Sequence, residues 1–228
     1  MQLLSRIAEP LLDLVFPPSC AGCNREGAFL CTDCEADLPR LEAPFCRTCS
    51  DPGPRSLCEW CSSTTQPFDG ITAPYRWNGA VQQMVYALKY RGVRASAPRL
   101  AEFMAAHLSN TSISADLIVP VPLHRRRERK RGYNQSELLA KGIAERTGIP
   151  VATSVLTRTR DTRPQVTMKN PDERRENIAG AFECVGDVAG KHVLLIDDVV
   201  TTGATIAACS TPLRAAGVTS IWALSMAR

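Results

Sequence analysis

Thirteen residues near the C-terminus, Val193 to Thr205, carry the densest chemistry in the chain. Val193, Leu194, Leu195 and Ile196 form an apolar run that reads as a buried strand. Asp197 and Asp198 follow at its carboxyl end, where open α/β sheets bind ligands. Thr201, Thr202, Gly203, Ala204 and Thr205 then open a helix. Three hydroxyls, several backbone N–H groups and a glycine converge there, which suits a phosphate. Carboxylates repel phosphate, so the combination fits a sugar phosphate. Its hydroxyls donate to the acidic pair while the loop holds the anion. The stretch is neither a dinucleotide-binding GxGxxG loop nor a Walker A loop, since no Lys follows a glycine-rich run. The bland alternative is a helix capped by Thr201 or Thr202 with a solvated Asp pair. Each piece alone favours that alternative; the pieces in this order do not.

A second reactive cluster lies near the N-terminus. Eight of the ten cysteines form the CxxC pairs Cys20/Cys23, Cys31/Cys34, Cys46/Cys49 and Cys58/Cys61. A CxxC turn aims two thiolates at one point, and two turns supply the four tetrahedral ligands of a structural zinc. In-order quartets give two zinc sites; an interleaved pairing of Cys20 and Cys23 with Cys46 and Cys49 meets the same rule. Four sulfurs leave no open position, so the expected role is structural. A disulfide scaffold calls for an export signal, and a redox CxxC for a neighbouring βαβ pattern; neither is seen here. Cys184 and Cys209 sit in apolar surroundings and read as small core residues.

Both clusters need a scaffold, and the rest of the chain is written to supply one. With 228 residues, 44% hydrophobic and 22% charged, it is an ordinary globular sequence, which excludes disordered and fibrous classes. No run of 18 apolar residues exists to span a membrane as a helix. Residues 1–18 resemble a signal peptide only at first sight: Arg6, Glu9 and Asp13 interrupt the apolar run and no small-residue cleavage site follows. They predict a short amphipathic helix ended by Pro17 and Pro18, with an apolar face for the ribbon or a partner. Oligomeric state has no signature. Residues 1–61 carry five Arg against nine Asp and Glu, whereas the remainder carries twenty-two Lys and Arg against fourteen acids. That contrast points to separate domains and to an anionic ligand for the second. We divide the chain into an N-terminal helix (1–18), a double zinc-ribbon domain (19–64) and an α/β domain (65–228).

Within the α/β domain the patterns predict a short strand at 69–77 and helices at 79–90 and 97–108. A strand at 116–121, a basic loop and a helix at about 134–147 follow. A weaker strand covers 151–156, and 157–177 is polar and unperiodic, hence a long loop. Residues 191–196 form the strongest strand, a helix runs from about 203 to 216, and 218–226 is a final strand. Pro212 should kink that last helix or start a second segment. Alternating strands and helices imply a parallel sheet with right-handed crossovers.

The motif at 193–205 resembles the phosphoribosyl-diphosphate-binding motif of type I phosphoribosyltransferases. The wider layout resembles the ComF family, which joins a cysteine-rich zinc domain to a phosphoribosyltransferase-like domain. The likeness includes the CxxC pairs, Ile118 to Leu123, Arg131 to Gln135, and a loop at 158–182 with Arg163, Gln165, Arg175 and Asn177. The resemblance implies that Asp197 and Asp198 bind the ribose 2′- and 3′-hydroxyls and that Thr201, Thr202, Gly203, Ala204 and Thr205 hold the 5′-phosphate. It places Val121, Pro122 and Leu123 at the diphosphate loop and 157–177 at a closing loop. Displacing diphosphate needs cations and Mg²⁺ at the leaving group and a site closed to water. Arg125 to Arg131 and Arg158 to Arg175 supply candidates, among which Arg163 is the preferred diphosphate contact. No residues identify the acceptor. The family also implies a link to uptake of transforming DNA, through competence proteins or single-stranded DNA. Against a stacking platform, Tyr133 is the one aromatic next to the basic stretch. Paired thiolates and the missing export signal imply a reducing cytoplasm. A third, inert reading is a zinc-stapled adaptor with a relic ligand site.

Overall fold

The computed structural model describes residues 18–162 and 170–228. All but Pro18 of the expected N-terminal helix lies outside the described residues, as do Arg163, Gln165 and Lys169. In the cysteine-rich part, α1 (Thr32–Ala36) and α2 (Glu59–Ser63) each start at a cysteine, Cys31 and Cys58. Then follow β1 (Gly70–Thr72), α3 (Gly79–Tyr90), a 3₁₀ turn (Arg94–Ser96), α4 (Ala97–Ser109), β2 (Leu117–Pro120), α5 (Arg125–Arg131) and α6 (Gln135–Thr147). The chain continues through β3 (Leu156–Arg158), α7 (Pro171–Ile178), β4 (Phe182–Cys184), β5 (His192–Ile196), α8 (Ala204–Ala215) and β6 (Ser220–Leu224).

The main sheet is parallel throughout, in the order β1-β6-β5-β2. Its centre, β5, is apolar on both faces because helices or strands cover both. Leu194 and Ile196 face one core, with Met84, Leu88, Met104, Leu139 and Ile143 from α3, α4 and α6. Val193 and Leu195 face a second core, with Val119, Phe182, Ile206 and Leu213. The two-residue period of the strand thus divides the interior in two. The cysteine-rich part seals both: Cys20 and Leu30 enter the first core, Cys46 and Cys49 the second.

Four expectations are corrected. The basic stretch after β2 is helical, not a loop. The His124 side chain accepts from Arg126 N at its start, and Gly132, at φ +83°, ends it in a left-handed turn. α5 has no buried residue, so it has no apolar period to betray it. The strand expected at 151–156 is a single bridge, Val151 to Ile118, and the true strand at 156–158 pairs antiparallel with β4 in a separate two-stranded sheet. The segment 157–177 is not a loop throughout: it starts inside β3 and ends inside α7, where Pro171 takes the first helical position and Ile178 is the buried anchor. Finally, α8 continues through Pro212 to Ala215 as one element, so no second segment starts there. Pro212 lies in its last turn, where few helical bonds remain to be lost.

Gly142 marks the closest approach of α6 to α4. A Cβ there would lie 2.6 Å from the Ala101 Cβ. Helix propensity favours Gly142→Ala by about 0.5–1 kcal/mol, but overpacking costs about 1–3 kcal/mol, so the net effect is destabilising. Urea unfolding of Gly142→Ala, with the Ala101→Gly/Gly142→Ala double variant beside it, checks this. The double variant is expected to recover most of the loss.

Candidate functional site

The carboxyl ends of β2, β5 and β6 open at one edge of the sheet. There Asp197 and Asp198 are buried, at 8% and 2% exposure. Neighbouring strands fix their backbone: Asp197 N donates to Leu224 O (3.2 Å), and Met226 N donates to Asp198 O (3.0 Å). Asp197 Oδ1 accepts from Ser136 Oγ at 3.1 Å and from Asp198 N at 2.9 Å. Asp198 Oδ1 accepts from Val199 N at 2.8 Å, and its Oδ2 lies 2.8 Å from Lys89 Nζ.

Two helix ends deliver these partners. Ser136 stands in the first turn of α6, where Asn134 Oδ1 accepts from Ser136 N (3.1 Å) and caps the helix. Its positive end therefore faces Asp197. Lys89 stands in the last turn of α3, held by Tyr133, whose hydroxyl donates to Leu88 O. Burial and the adjacent Asp198 charge push Asp197 up to about 7. Burial also opposes charge on Lys89, but Asp198 outweighs it and holds the ammonium above its usual range.

The hydroxyl-rich loop begins where the acidic pair ends. Thr202 Oγ1 accepts from Ala204 N at 3.4 Å, but the N-cap is Gly203, without a side-chain cap, and the Asp pair is buried, unlike the plain capping alternative. Gly203, at φ +77°, turns the chain into α8. Arg174 of α7 donates to Thr201 Oγ1 at 3.3 Å. The loop at Val121, Pro122 and Leu123 leaves β2 at the same edge: Val121 N donates to Ile196 O (2.9 Å), and Asn134 Nδ2 donates to Val121 O (3.0 Å). Pro122 and Leu123 line a cavity of about 510 Å³ with His124 and Arg158. The structure thus brings the acidic pair, the loop at 201–205 and the loop at 121–123 together, while Arg163 is outside the described residues.

The cysteines fall into the in-order quartets. Cys20, Cys23, Cys31 and Cys34 form one group and Cys46, Cys49, Cys58 and Cys61 the other, each with all sulfurs within 4.8 Å of one another. A tetrahedral Zn²⁺ with Zn–S bonds of about 2.3 Å sets sulfurs about 3.8 Å apart. The observed separations include 3.6 Å (Cys20–Cys31), 3.8 Å (Cys23–Cys31) and 3.6 Å (Cys49–Cys58). Burial works against the Cys20 thiolate, yet the backbone N–H groups of Cys31, Cys23 and Gly22 outweigh it and lower its pKa to about 6. The donor set and spacing fit structural zinc. Cys209 is a fully buried core residue as expected, whereas Cys184 is only partly buried.

The amino-acid patterns of two known domain families cover most of this chain. The double zinc ribbon domain matches residues 11–65, and the phosphoribosyl transferase domain matches residues 100–226. DNA utilization protein YhgH of Salmonella typhi is 30% identical over 204 residues, covering 86% of this chain and 89% of that protein. Competence protein ComFC of Streptococcus pneumoniae is 28% identical, covering 90% of each. The chain belongs to the ComF family. Among solved structures, the glutamine phosphoribosylpyrophosphate amidotransferase from B. subtilis is 26% identical over 59% of this chain, with a TM-score of 0.41. The ComF chain spans 26% of that structure's length. No helix among the described residues is long and apolar enough to cross a membrane.

Sequence reasoning missed Lys89 and Ser136. Lys89 had a readable signal: it lies four residues after Val85 and eight after Val81, both buried, so a lysine occupies the apolar stripe of α3. Sequence reasoning also left Tyr133 alone beside the basic stretch. The structure adds a row of rings, Trp77 to Tyr86 (5.9 Å) and Tyr86 to Tyr90 (5.6 Å), with the Arg131 guanidinium 5.7 Å over Tyr90.

The raised Asp197 gives a pH signature. Below its ordinary value of 3.8 both folded and unfolded chains hold the proton, and above about 7 neither does. Between them only the folded chain holds it, so stability falls as pH rises toward 7, by at most about 1.4 kcal/mol per unit. Asp197→Asn removes this slope. Urea unfolding from pH 5.5 to 8 is expected to show a steeper decline for the native chain than for the variant; parallel curves contradict the assignment.

Proposed function

We propose that this ComF protein binds 5-phosphoribosyl 1-diphosphate with Mg²⁺ and transfers the phosphoribosyl group to a nitrogen nucleophile. The observation that carries the reading is the convergence of a buried acidic pair with two anion-suited loops at one sheet edge. Asp197 and Asp198 accept hydrogen bonds from the ribose 2′- and 3′-hydroxyls. Thr201, Thr202, Gly203, Ala204 and Thr205 hold the 5′-phosphate, and Val121, Pro122 and Leu123 line the diphosphate. Lys89 balances the acidic pair, so the pair accepts hydroxyl donors without trapping a cation of its own. Because Lys89 and Ser136 engage the carboxylates, the acidic pair is partnered by the chain's own side chains. Mg²⁺ bound with the diphosphate beside Val121, Pro122 and Leu123 would offset the negative charge that develops on the leaving group.

In the transfer, the nucleophile's lone pair forms a bond to ribose C1. The C1–O bond to diphosphate breaks, diphosphate leaves with that electron pair, and the nucleophile sheds its proton. An arginine of the segment 157–177 would favour the leaving group, with Arg163 the sequence choice; Arg174 of α7 reaches Thr201 and so stands with the 5′-phosphate loop. Eight thiolates arranged for zinc suit a reducing compartment, which supports a cytoplasmic protein. The checking assay follows diphosphate release with nucleobases, aromatic amines and ammonia as acceptors. Release that needs Mg²⁺ and drops at least about a hundredfold in Asp198→Asn is expected, since that carboxylate is the proposed ribose contact. Ligand binding without release from any acceptor would replace the transferase with a ligand sensor.

A second reading has its own observation. The ring row at Trp77, Tyr86 and Tyr90 adjoins a cavity of about 500 Å³ lined by Lys89, Tyr90, Arg127, Lys130, Arg131 and Tyr133. Stacking rings beside cations are the features that hold single-stranded nucleic acid. Haemophilus influenzae Competence protein F, 35% identical over 116 residues and half of each chain, agrees with a competence role. Anisotropy with a labelled oligothymidine is expected to show salt-sensitive binding that weakens several-fold in Tyr90→Ala. Binding unchanged by salt and by that variant contradicts it.

A further inference from the structure

The second cysteine group does more than close a core. α2 carries Cys58 at its start, Cys61 inside it and Trp60 between them. The Trp60 ring lies against the turn of the hydroxyl-rich loop: a Cβ added to Gly203 would meet Trp60 Cζ3 at 2.6 Å. The Arg175 guanidinium lies 4.8 Å over the same ring, and Phe68 packs 6.0 Å from it. Arg175 neighbours Arg174, whose guanidinium donates to Thr201. One indole therefore touches the phosphate-loop turn and the helix that returns from the long loop.

The indole packs on Phe68, Arg175 and Gly203, while the backbone that carries it is anchored through the cysteines. α2 is five residues long and buries no side chain. Isolated helices shorter than about 12–15 residues are marginal in water, so α2 depends on its anchors. Those anchors are Cys58 and Cys61, tied across the group to Cys46 and Cys49. The latter two lie in the same core as Val200, Ala204 and Ile206 around the loop. Ser50 Oγ donates to Ile71 O (2.6 Å) and Ile71 N donates to Thr48 O (2.8 Å), which joins the group to β1. The first cysteine group sits in the other core, away from the loop.

We infer that Trp60 is a positioning residue for the phosphate loop, so that ligand affinity at 201–205 depends on zinc in the Cys46, Cys49, Cys58 and Cys61 group and not on zinc in the first group. The inference rests on the proposed phosphoribosyl diphosphate site. Zinc in the second group holds α2, α2 holds Trp60, and Trp60 holds the Gly203 turn in the form that accepts the phosphate. Zinc loss or thiol oxidation there lowers affinity while the first group stays loaded. Coupling is reciprocal, so bound ligand strengthens zinc retention at the second group.

The test uses the full zinc-loaded chain, as native protein, Trp60→Ala and Trp60→Phe. Calorimetric titration with phosphoribosyl diphosphate and Mg²⁺ is paired with zinc release to a chromogenic chelator and with thermal unfolding in the absence of ligand. Trp60→Ala is expected to lose about tenfold or more in affinity, within the range of coupled sites, with Trp60→Phe within about threefold of native. Saturating ligand is expected to slow release of one of the two zincs in the native chain and of neither in Trp60→Ala. Native affinity in Trp60→Ala, or ligand that protects neither zinc of the native chain, overturns the inference while leaving the site itself intact. If Trp60→Ala unfolds, the zinc-release comparison on the native chain decides alone. No titration by the native chain overturns the underlying site and this inference together.

Discussion

Two carboxylates lie side by side inside this protein, at the end of its most buried strand, and their surroundings answer that charge. Taking a charge out of water is costly unless it is paired or hydrogen-bonded. Asp198 is met by Lys89 and by Val199 N; Asp197 is met by Ser136 Oγ and by Asp198 N. Even so, Asp197 remains poorly compensated, which is why its proton is held up to about 7. A pair kept at such cost, where a parallel sheet opens, is the pattern of a binding site, because strain of this kind concentrates where function needs it. The last turn of α3 brings Lys89 to the pair, and the first turn of α6 brings Ser136.

The cysteine-rich part belongs to the same economy of a small fold. The central sheet has four strands, two of its faces need covering, and each half of the ribbon closes one of them. Cys20 and Leu30 complete the core beneath α3 and α4, and Cys46 and Cys49 complete the one beneath α8. Arg228 extends the bond to the second group, with Nη2 3.2 Å from Cys49 Sγ and 3.3 Å from Asp51 Oδ1. Both sulfur clusters supply core surface to the sheet they cover.

Much of this was legible in the residues. The apolar run at 191–196, the helices at 79–90 and 97–108, and the CxxC pairs follow from periodicity and spacing, while the in-order grouping of those pairs comes from the structure. So does the gathering of Asp197, Asp198 and the threonine loop, because they are contiguous. What stayed hidden depends on packing across distance. α5 offers no apolar face, so only its Gly132 stop marked it. Ser136 reaches Asp197 across 61 positions. Trp60 reaches Gly203 by the folding of the ribbon onto α8, which no local pattern encodes. Tyr86 and Tyr90 joined the basic helix in the same way, through the turn that brings α3 beside Arg131.

The central claim is that the acidic pair and the threonine loop form one ligand site. The most direct measurement is a calorimetric titration of zinc-loaded protein with phosphoribosyl diphosphate and Mg²⁺, beside the Asp197→Ala/Asp198→Ala double variant. The account predicts saturable one-to-one binding by the native chain and its loss in the double variant, with both proteins folded and retaining the same zinc. Equal binding by both, or none by the native chain, would contradict it.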